Sequence, residues 1–316
     1  SGKQVAFLVP TTILAQQHYN TLKERFLPYP VKLNFLSRFN TPKEQKKTIN
    51  ALVTGECDIV VGTHKLIQKN VEFKDLGLVV IDEEHKFGVK HKEYLKQLRK
   101  EVDVISMSAT PIPRTLYMAL SGIRDISVIN TAPINRLAIK TYVGEYSESI
   151  VRSSVYRELE RNGQIFFVHN RVQTIYNRAS ELQELLPDIN IAIAHGQMPE
   201  RELEKVIYDF STHKYDMLVC TTIVESGLDM PNVNTIIIDD ADHLGLAQLY
   251  QLRGRVGRSD RQAYAYCLYK PSKYLTPEAR KRLSAIKEFN TLGSGYQIAL
   301  RDLEIRGIGN LLGSKQ

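Results

Sequence analysis

"VVIDEEHKFGV" occupies residues 79–89, and its reading decides the fold. A short Val/Ile run of this kind suits a strand buried on both faces of a parallel sheet. Such runs normally end in turn residues. This one ends in three successive acids, Asp82, Glu83 and Glu84, followed by His85. Adjacent like charges repel, so the cluster calls for a compensating ligand. The strand would deliver Asp82 and Glu83 at its C-terminal end, the edge where open α/β sheets bind ligands. A carboxylate there can hold Mg²⁺, directly or through water, while its neighbour orients or deprotonates an attacking water. Asp82 is therefore the metal candidate, and Asp82 and Glu83 are the catalytic candidates. The competing explanation is a solvated acidic turn, and the rest of the chain has to separate the two.

Working outward, "VAFLVP", "CDIVVGT" and "VDVISMSAT" join "LGLVVID" in the first half. "GQIFFVHN", "INIAIAHG", "DMLVCTT", "VNTIIIDDA" and "QAYAYCLY" punctuate the second. Helical patterns fall between them at 12–26, 42–54, 149–161, 172–185 and 200–211. Asn40-Thr41-Pro42 offers a cap followed by proline at the first helical position. The alternation predicts an α/β fold with right-handed crossovers. The pattern weakens at "NTAPINRLAIK" and restarts near residue 135, which places a linker at 130–137. The expected domains are a first lobe at 1–134, a second at 135–272, and a helical hairpin with a tail at 273–316.

The second chemical signal is "QLYQLRGRVGR" at 248–258. Glycines let backbone approach a phosphate, and arginine offers a planar fork of donors. An arginine reaching across a cleft can neutralise charge developing on a γ-phosphate. Alone the stretch could be a basic surface turn; paired with the acids upstream it favours a nucleotide. "SAT" at 108–110 ends another strand, and its hydroxyls can relay hydrogen bonds between a nucleotide site and a nucleic-acid groove. "TTIVESGLDM" begins at 221 with two threonines suited to phosphate-backbone contacts, and Gly227 and Asp229 shape the loop that follows.

The totals set bounds. A chain of 316 residues suggests two domains. A net charge of +7 admits a polyanionic partner without requiring one. Cys57, Cys220 and Cys267 are too scattered for a metal site or a disulfide framework, which fits a reducing compartment. No window approaches the ~20 apolar residues of a membrane span, and no leader pattern opens the chain.

Together these motifs resemble a superfamily 2 helicase motor: two RecA-like parallel-sheet lobes in tandem with a nucleotide clamped between them. "VPTTILAQQH" (9–18), "SRF" (37–39), "GTHKL" (62–66), "DEEHKFGVKHKE" (82–93), "SATPIPRTL" (108–116) and "HGQMPERELE" (195–204) narrow the likeness to the bacterial transcription-repair coupling factors, then to the RecG-type helicases. RecG-type chains typically carry glutamine where Glu84 stands. "DLEIRGIGNLLGSKQ" with the hairpin before it resembles the TRG motif of both groups, which couples ATP hydrolysis to translocation on double-stranded DNA.

The resemblance implies ATP and Mg²⁺ as cofactors. It implies double-stranded DNA as partner, RNA polymerase and excision-repair proteins engaged through regions outside this chain, and a cytoplasmic setting of bacterial type or an organelle of bacterial origin. It implies Asp82 and Glu83 for Mg²⁺ and the attacking water, and Arg255 and Arg258 for the γ-phosphate, with Arg258 the better finger. Gly227 and Asp229 would line the nucleotide side of the second lobe. His85, Ser108, Thr110 and Gln251 would couple the lobes. Thr11, Arg38, Thr63, His64, Asn170 and Thr222 would line the DNA track, and Arg301, Arg306 and Gln316 are the TRG candidates.

One departure matters. The phosphate loop G-x-x-x-x-G-K-[ST] is absent; Gly2-Lys3 is followed by Gln4. The expectation is a piece of a longer protein that starts just after that loop and alone hydrolyses essentially no ATP. The missing strand is expected inside the first sheet, beside the strand bearing Asp82, leaving unpaired edges. The rival readings are a RecG-like branched-DNA motor and a nucleic-acid-binding scaffold without catalysis. An ordinary dinucleotide enzyme is disfavoured because no strand is followed by G-x-G-x-x-G.

Overall fold

The structure is a computed structural model and describes residues 2–37, 40–68, 70–84, 87, 102–108, 125, 127–129, 131, 137–222, 230–271, 274–289 and 294–306. It divides into two compact units, Ser1–Ala109 and Thr110–Gln316.

The first unit is a parallel sheet of β1 (Gln4–Leu8), β2 (Leu33–Leu36), β3 (Ile59–Gly62), β4 (Leu76–Asp82) and β5 (Asp103–Met107), in the order β2-β3-β1-β4-β5. Helix α1 (Thr12–Phe26) starts where Thr11 Oγ1 accepts the Leu14 N–H at 3.4 Å. Helix α2 (Pro42–Thr54) starts with a reciprocal cap: Thr41 Oγ1 accepts from Glu44 N–H at 3.3 Å, and Glu44 Oε2 accepts from Thr41 N–H at 2.7 Å. It stops at Gly55, whose φ of 78° only glycine adopts without strain. Leu8, Leu36, Leu52, Val60 and Ile81 are fully buried in the core. Strand β2, "LNFL", escaped the periodicity because only Leu36 is fully enclosed; pairing with β3 defines it.

The second unit contains β6 (Lys140–Glu145), α3 (Glu148–Leu159), β7 (Gln164–Val168), α4 (Ile175–Leu185), β8 (Ile191–Ala194), α5 (Glu200–Ser211), β9 (Met217–Cys220), β10 (Val233–Ile238), α6 (Leu246–Arg253), β11 (Tyr264–Tyr269), α7 (Pro277–Glu288) and α8 (Gly295–Arg306). Its strands are all parallel, in the order β6-β11-β10-β7-β9-β8. Every residue of β7, β9 and β10 is buried, which is why "IFFV", "MLVC" and "III" read as apolar runs, with the polar Gln164, Asn234 and Thr235 enclosed beside them. Strand β6 lies at an edge with a largely open face, and "KTYVGE" carries no such run. Helices α6, α7 and α8 pack on one another, and the buried Arg253 fastens them by donating from Nη1 to the Ile286 carbonyl at 2.9 Å.

The two units repeat the same small devices. Gln4 opens β1, and its buried Nε2 donates to the Leu52 and Cys57 carbonyls, both at 2.9 Å. Gln164 opens β7 and donates to the Phe210 and Tyr215 carbonyls at 2.6 and 2.8 Å. Asp58 accepts from Lys32 N–H at 2.7 Å just before β3, and Asp216 accepts from Asn190 N–H at 2.8 Å just before β9. One fold is used twice, and the equivalence maps β7 on β1, β9 on β3, β8 on β2, β10 on β4 and β11 on β5.

This mapping corrects one expectation. Strand β4, which bears Asp82, is paired on both sides, with β1 and β5. No strand is missing beside it. The sixth strand of the second sheet, β6, lies outside β11, and the matching position in the first sheet is the outer edge of β5. Among the described residues β5 is paired on one side only, and its Ile105 and Met107 are 52% and 38% exposed.

Candidate functional site

In the first unit, parallel strands carry the candidates to one edge of the sheet. Strand β1 leads to Thr11, β3 to Thr63, β4 to Asp82 and Glu83, and β5 to Ser108. The β4–β5 register sets Asp82 opposite Met107, so Glu83 falls beside Ser108 although 25 residues separate them. The Ser108 hydroxyl donates to Glu83 Oε2 at 3.2 Å, and the Glu83 N–H donates to the Met107 carbonyl at 3.0 Å. Glu83 has a φ of 51°, the left-handed region, and is only 6% exposed. A glutamate held there costs on the order of 1–2 kcal/mol of backbone strain, and such strain gathers at functional positions. Asp82 stays partly open, with a side chain 19% exposed, and its Oδ2 lies 3.0 Å from His18 Nε2. Sequence reasoning missed His18; its signal is a histidine at a position of α1 that the helical period turns toward the sheet.

Thr63 is buried at the start of a short 3₁₀ turn, and His64 is exposed beside it. Thr11 caps α1, so its hydroxyl already has a structural task. Arg38, His85 and Thr110 lie outside the described residues.

In the second unit the corresponding edge gathers Asn170 after β7 and Thr222 after β9, one exposed and the other half-buried. Gly227 and Asp229 fall outside the described residues. The arginine stretch follows α6. Arg255 is 7% exposed, Arg258 is half-buried, and Gly257 between them takes a φ of 72°, with Ala263 Cβ 3.0 Å from where a side chain would begin. That glycine is required by both conformation and space. Arg253 belongs to the hairpin instead; burial holds its guanidinium below the usual range, and it lies 4.9 Å from the Tyr250 ring centre. Gln251 is half-buried on α6. Arg301 is exposed and paired with Glu304 at 2.7 Å on α8. The side chain of Arg306, and Gln316, lie outside the description.

The same edge holds a network that sequence reasoning also missed, one residue from Asn170. His169 Nδ1 lies 3.0 Å from Asp239 Oδ2, and its Nε2 lies 2.8 Å from the Thr174 hydroxyl. Arg178 Nε lies 3.0 Å from the same carboxylate oxygen. Burial pushes the Asp239 carboxyl up; the His169 hydrogen bond and the Arg178 charge outweigh it and hold it below its ordinary value.

Among the described residues no group of three or more His, Cys, Asp or Glu is placed to hold a metal. Magnesium on a nucleotide takes one or two carboxylates together with substrate phosphates and water. The Asp82 carboxylate, anchored through one oxygen, fits that role.

Residues 1–119 match the DEAD/DEAH box helicase family, and residues 148–260 match the helicase conserved C-terminal domain. The chain thus joins two helicase-family domains in tandem. A transcription-repair-coupling factor from Staphylococcus aureus (strain USA300) is 59% identical over 315 residues, covering all of this chain and 27% of that protein. The chain thus spans about a quarter of the length of such relatives. The solved structure of RecG bound to a three-way DNA junction superposes with a TM-score of 0.79 at 37% identity, over 98% of this chain and 41% of that one. Dbp5 of S. cerevisiae, bound to RNA and ADP BeF3, shares the fold at 17% identity and a TM-score of 0.66, over 90% of this chain and 75% of that one. Among the described residues no helix is long and apolar enough to cross a membrane.

Proposed function

We propose that these residues form the ATP-driven double-stranded DNA translocase of a transcription-repair coupling factor, one that displaces stalled RNA polymerase and supports nucleotide excision repair in a bacterial-type cytoplasm. The reading rests on 59% identity along the chain to such a factor. The Asp82–Glu83–Ser108 corner suits ATP chemistry. Its lobes would be 1–134 and 135–272, with a TRG-like hairpin at 273–316.

In this reading Asp82 holds Mg²⁺, and Glu83, fixed by Ser108, orients the attacking water. Bound magnesium supplies charge neutralisation on the ATP phosphates. Arg258 and Arg255 meet the γ-phosphate, and Gly227 and Asp229 line the nucleotide. His85, Ser108, Thr110 and Gln251 link hydrolysis to lobe movement. Thr11, Arg38, Thr63, His64, Asn170 and Thr222 grip the DNA backbone, and Arg301, Arg306 and Gln316 transmit the stroke. Backbone gripping is sequence-independent and weakens with salt.

The test uses the complete gene product. Duplex DNA should stimulate phosphate release from ATP, and Glu83→Gln should lower turnover at least a hundredfold while ATP still binds. Normal turnover in that variant would refute the assignment. A second reading, a RecG-like branched-DNA motor, draws on the 37% identity to RecG. Unwinding of three-way junctions without displacement of stalled RNA polymerase would favour it. DNA binding with no hydrolysis would favour a scaffold.

A further inference from the structure

Helix α1 packs on the first sheet through Leu14, Ala15, Tyr19 and Leu22. His18 follows Leu14 by four residues and precedes Leu22 by four, which places all three on one face of the helix. A polar residue on a core-facing stripe is informative, because that position favours an aliphatic side chain. The imidazole does not hide there as a packed hydrophobe: its side chain is 28% exposed. One face of the ring lies against Phe7 of β1, with centroids 4.7 Å apart and planes tilted by 38°. Its Nε2 reaches past β1 to the next strand and meets Asp82 Oδ2 at 3.0 Å. An ionised carboxylate only accepts, so the histidine donates.

We propose that His18 is a positioning residue for Asp82, holding one carboxylate oxygen so that the other is presented to magnesium or its water. The inference rests on the reading of Asp82 as the metal carboxylate. A carboxylate at a strand end can rotate about two side-chain bonds. The two fixed points here, a ring clamped by Phe7 and a 3.0 Å hydrogen bond, remove that freedom before any ligand arrives. Partners that orient a metal-binding group in this way typically contribute 10–100-fold to metal affinity or activity. The bland alternative is a histidine that merely satisfies its own hydrogen bonding while filling space. It predicts that any side chain filling the same space will do.

Two substitutions in the complete gene product separate these. His18→Phe keeps a ring against Phe7 and removes the donor. His18→Gln discards the ring but carries a nitrogen donor at similar reach. Two readouts are taken: the Mg²⁺ concentration that half-saturates duplex-stimulated ATP hydrolysis, and Mn²⁺ binding followed by electron paramagnetic resonance with a slowly hydrolysed ATP analogue. His18→Phe should raise both midpoints about tenfold or more, and His18→Gln should recover most of that loss. Should the Phe variant fail to fold, His18→Leu, which suits the apolar stripe, carries the same expectation. Asp82→Asn calibrates the scale and should be impaired at least as much. If the Phe or Leu variant titrates like the parent while Asp82→Asn is impaired, His18 has no positioning role and the metal reading of Asp82 stands. If Asp82→Asn itself titrates like the parent, the metal reading fails and takes the inference with it.

Discussion

Gly62 closes β3 immediately before Thr63, and replacing it with alanine isolates a single steric effect. A Cβ at Gly62 would lie 2.3 Å from the Leu36 carbonyl oxygen and 2.9 and 3.0 Å from Leu66 Cγ and Cδ1. The leucine side chain can turn aside. The carbonyl is backbone in the neighbouring strand, where Leu36 and Gly62 stand in register, so β2 and β3 must separate by about an ångström to reach ordinary contact. Overpacking of this kind costs about 1–3 kcal/mol, and a backbone clash belongs at the upper end. In a unit of roughly a hundred residues each kcal/mol shifts the melting temperature by about 4–8 °C, so a loss on the order of 10 °C is expected. Differential scanning calorimetry of the 316-residue chain reads this out. The transition of the first unit should fall while that of the second stays in place. Gly196→Ala is the control, because a Cβ there meets nothing within 4 Å. A first-unit transition within about 2 °C of the parent would refute the steric reasoning.

Other expectations follow the same logic. Asp239 has its carboxyl pKa lowered in the folded state, so its contribution to stability is present above the unfolded value near ~4 and is lost as pH falls through the folded one. Asp239→Asn should flatten that acid limb of the second unit and cost about 1–3 kcal/mol at neutral pH, since it removes the carboxylate that faces His169 and Arg178 while Arg178 keeps Glu181 as a partner; urea midpoints from pH 3 to 7 that run parallel for both proteins would count against this. Cys57, Cys220 and Cys267 are fully buried, and burial raises the thiols of Cys57 and Cys267 to about 11 and 12 and that of Cys220 further. Iodoacetamide at pH 8 should leave all three intact in the folded chain and label all three in denaturant; rapid labelling of the native protein would contradict the described burial.

How much was legible in the sequence depended on burial. The limits of α1 and α2 matched their patterns because threonine caps, Pro42 and Gly55 mark helix ends by local chemistry; α5 matched on its apolar period, without a side-chain cap. Strands β7, β9 and β10 were legible because all their residues are enclosed. Edge strands β2 and β6 were not, because "LNFL" and "KTYVGE" break their apolar residues with polar ones and only pairing with a neighbour defines them, whereas the edge strands β5 and β8 were read. Arg253 reads like its neighbours in "LRGRVGR", yet it faces inward from α6 and serves the hairpin.

The sequence by itself determined the chemical inventory: a strand ending in acids, a hydroxyl-bearing strand end downstream, and arginines set among glycines. These are local patterns, and local patterns survive in one dimension. The tertiary structure alone decided who meets whom. It set Ser108 against Glu83 through strand register, brought His18 to Asp82 across β1, and built the His169–Asp239–Arg178 network from three separate elements. It also placed the unmatched strand position at β5, away from the strand that carries the acids. Pairing order and helix facing arise from long-range packing, and no spacing along the chain encodes them.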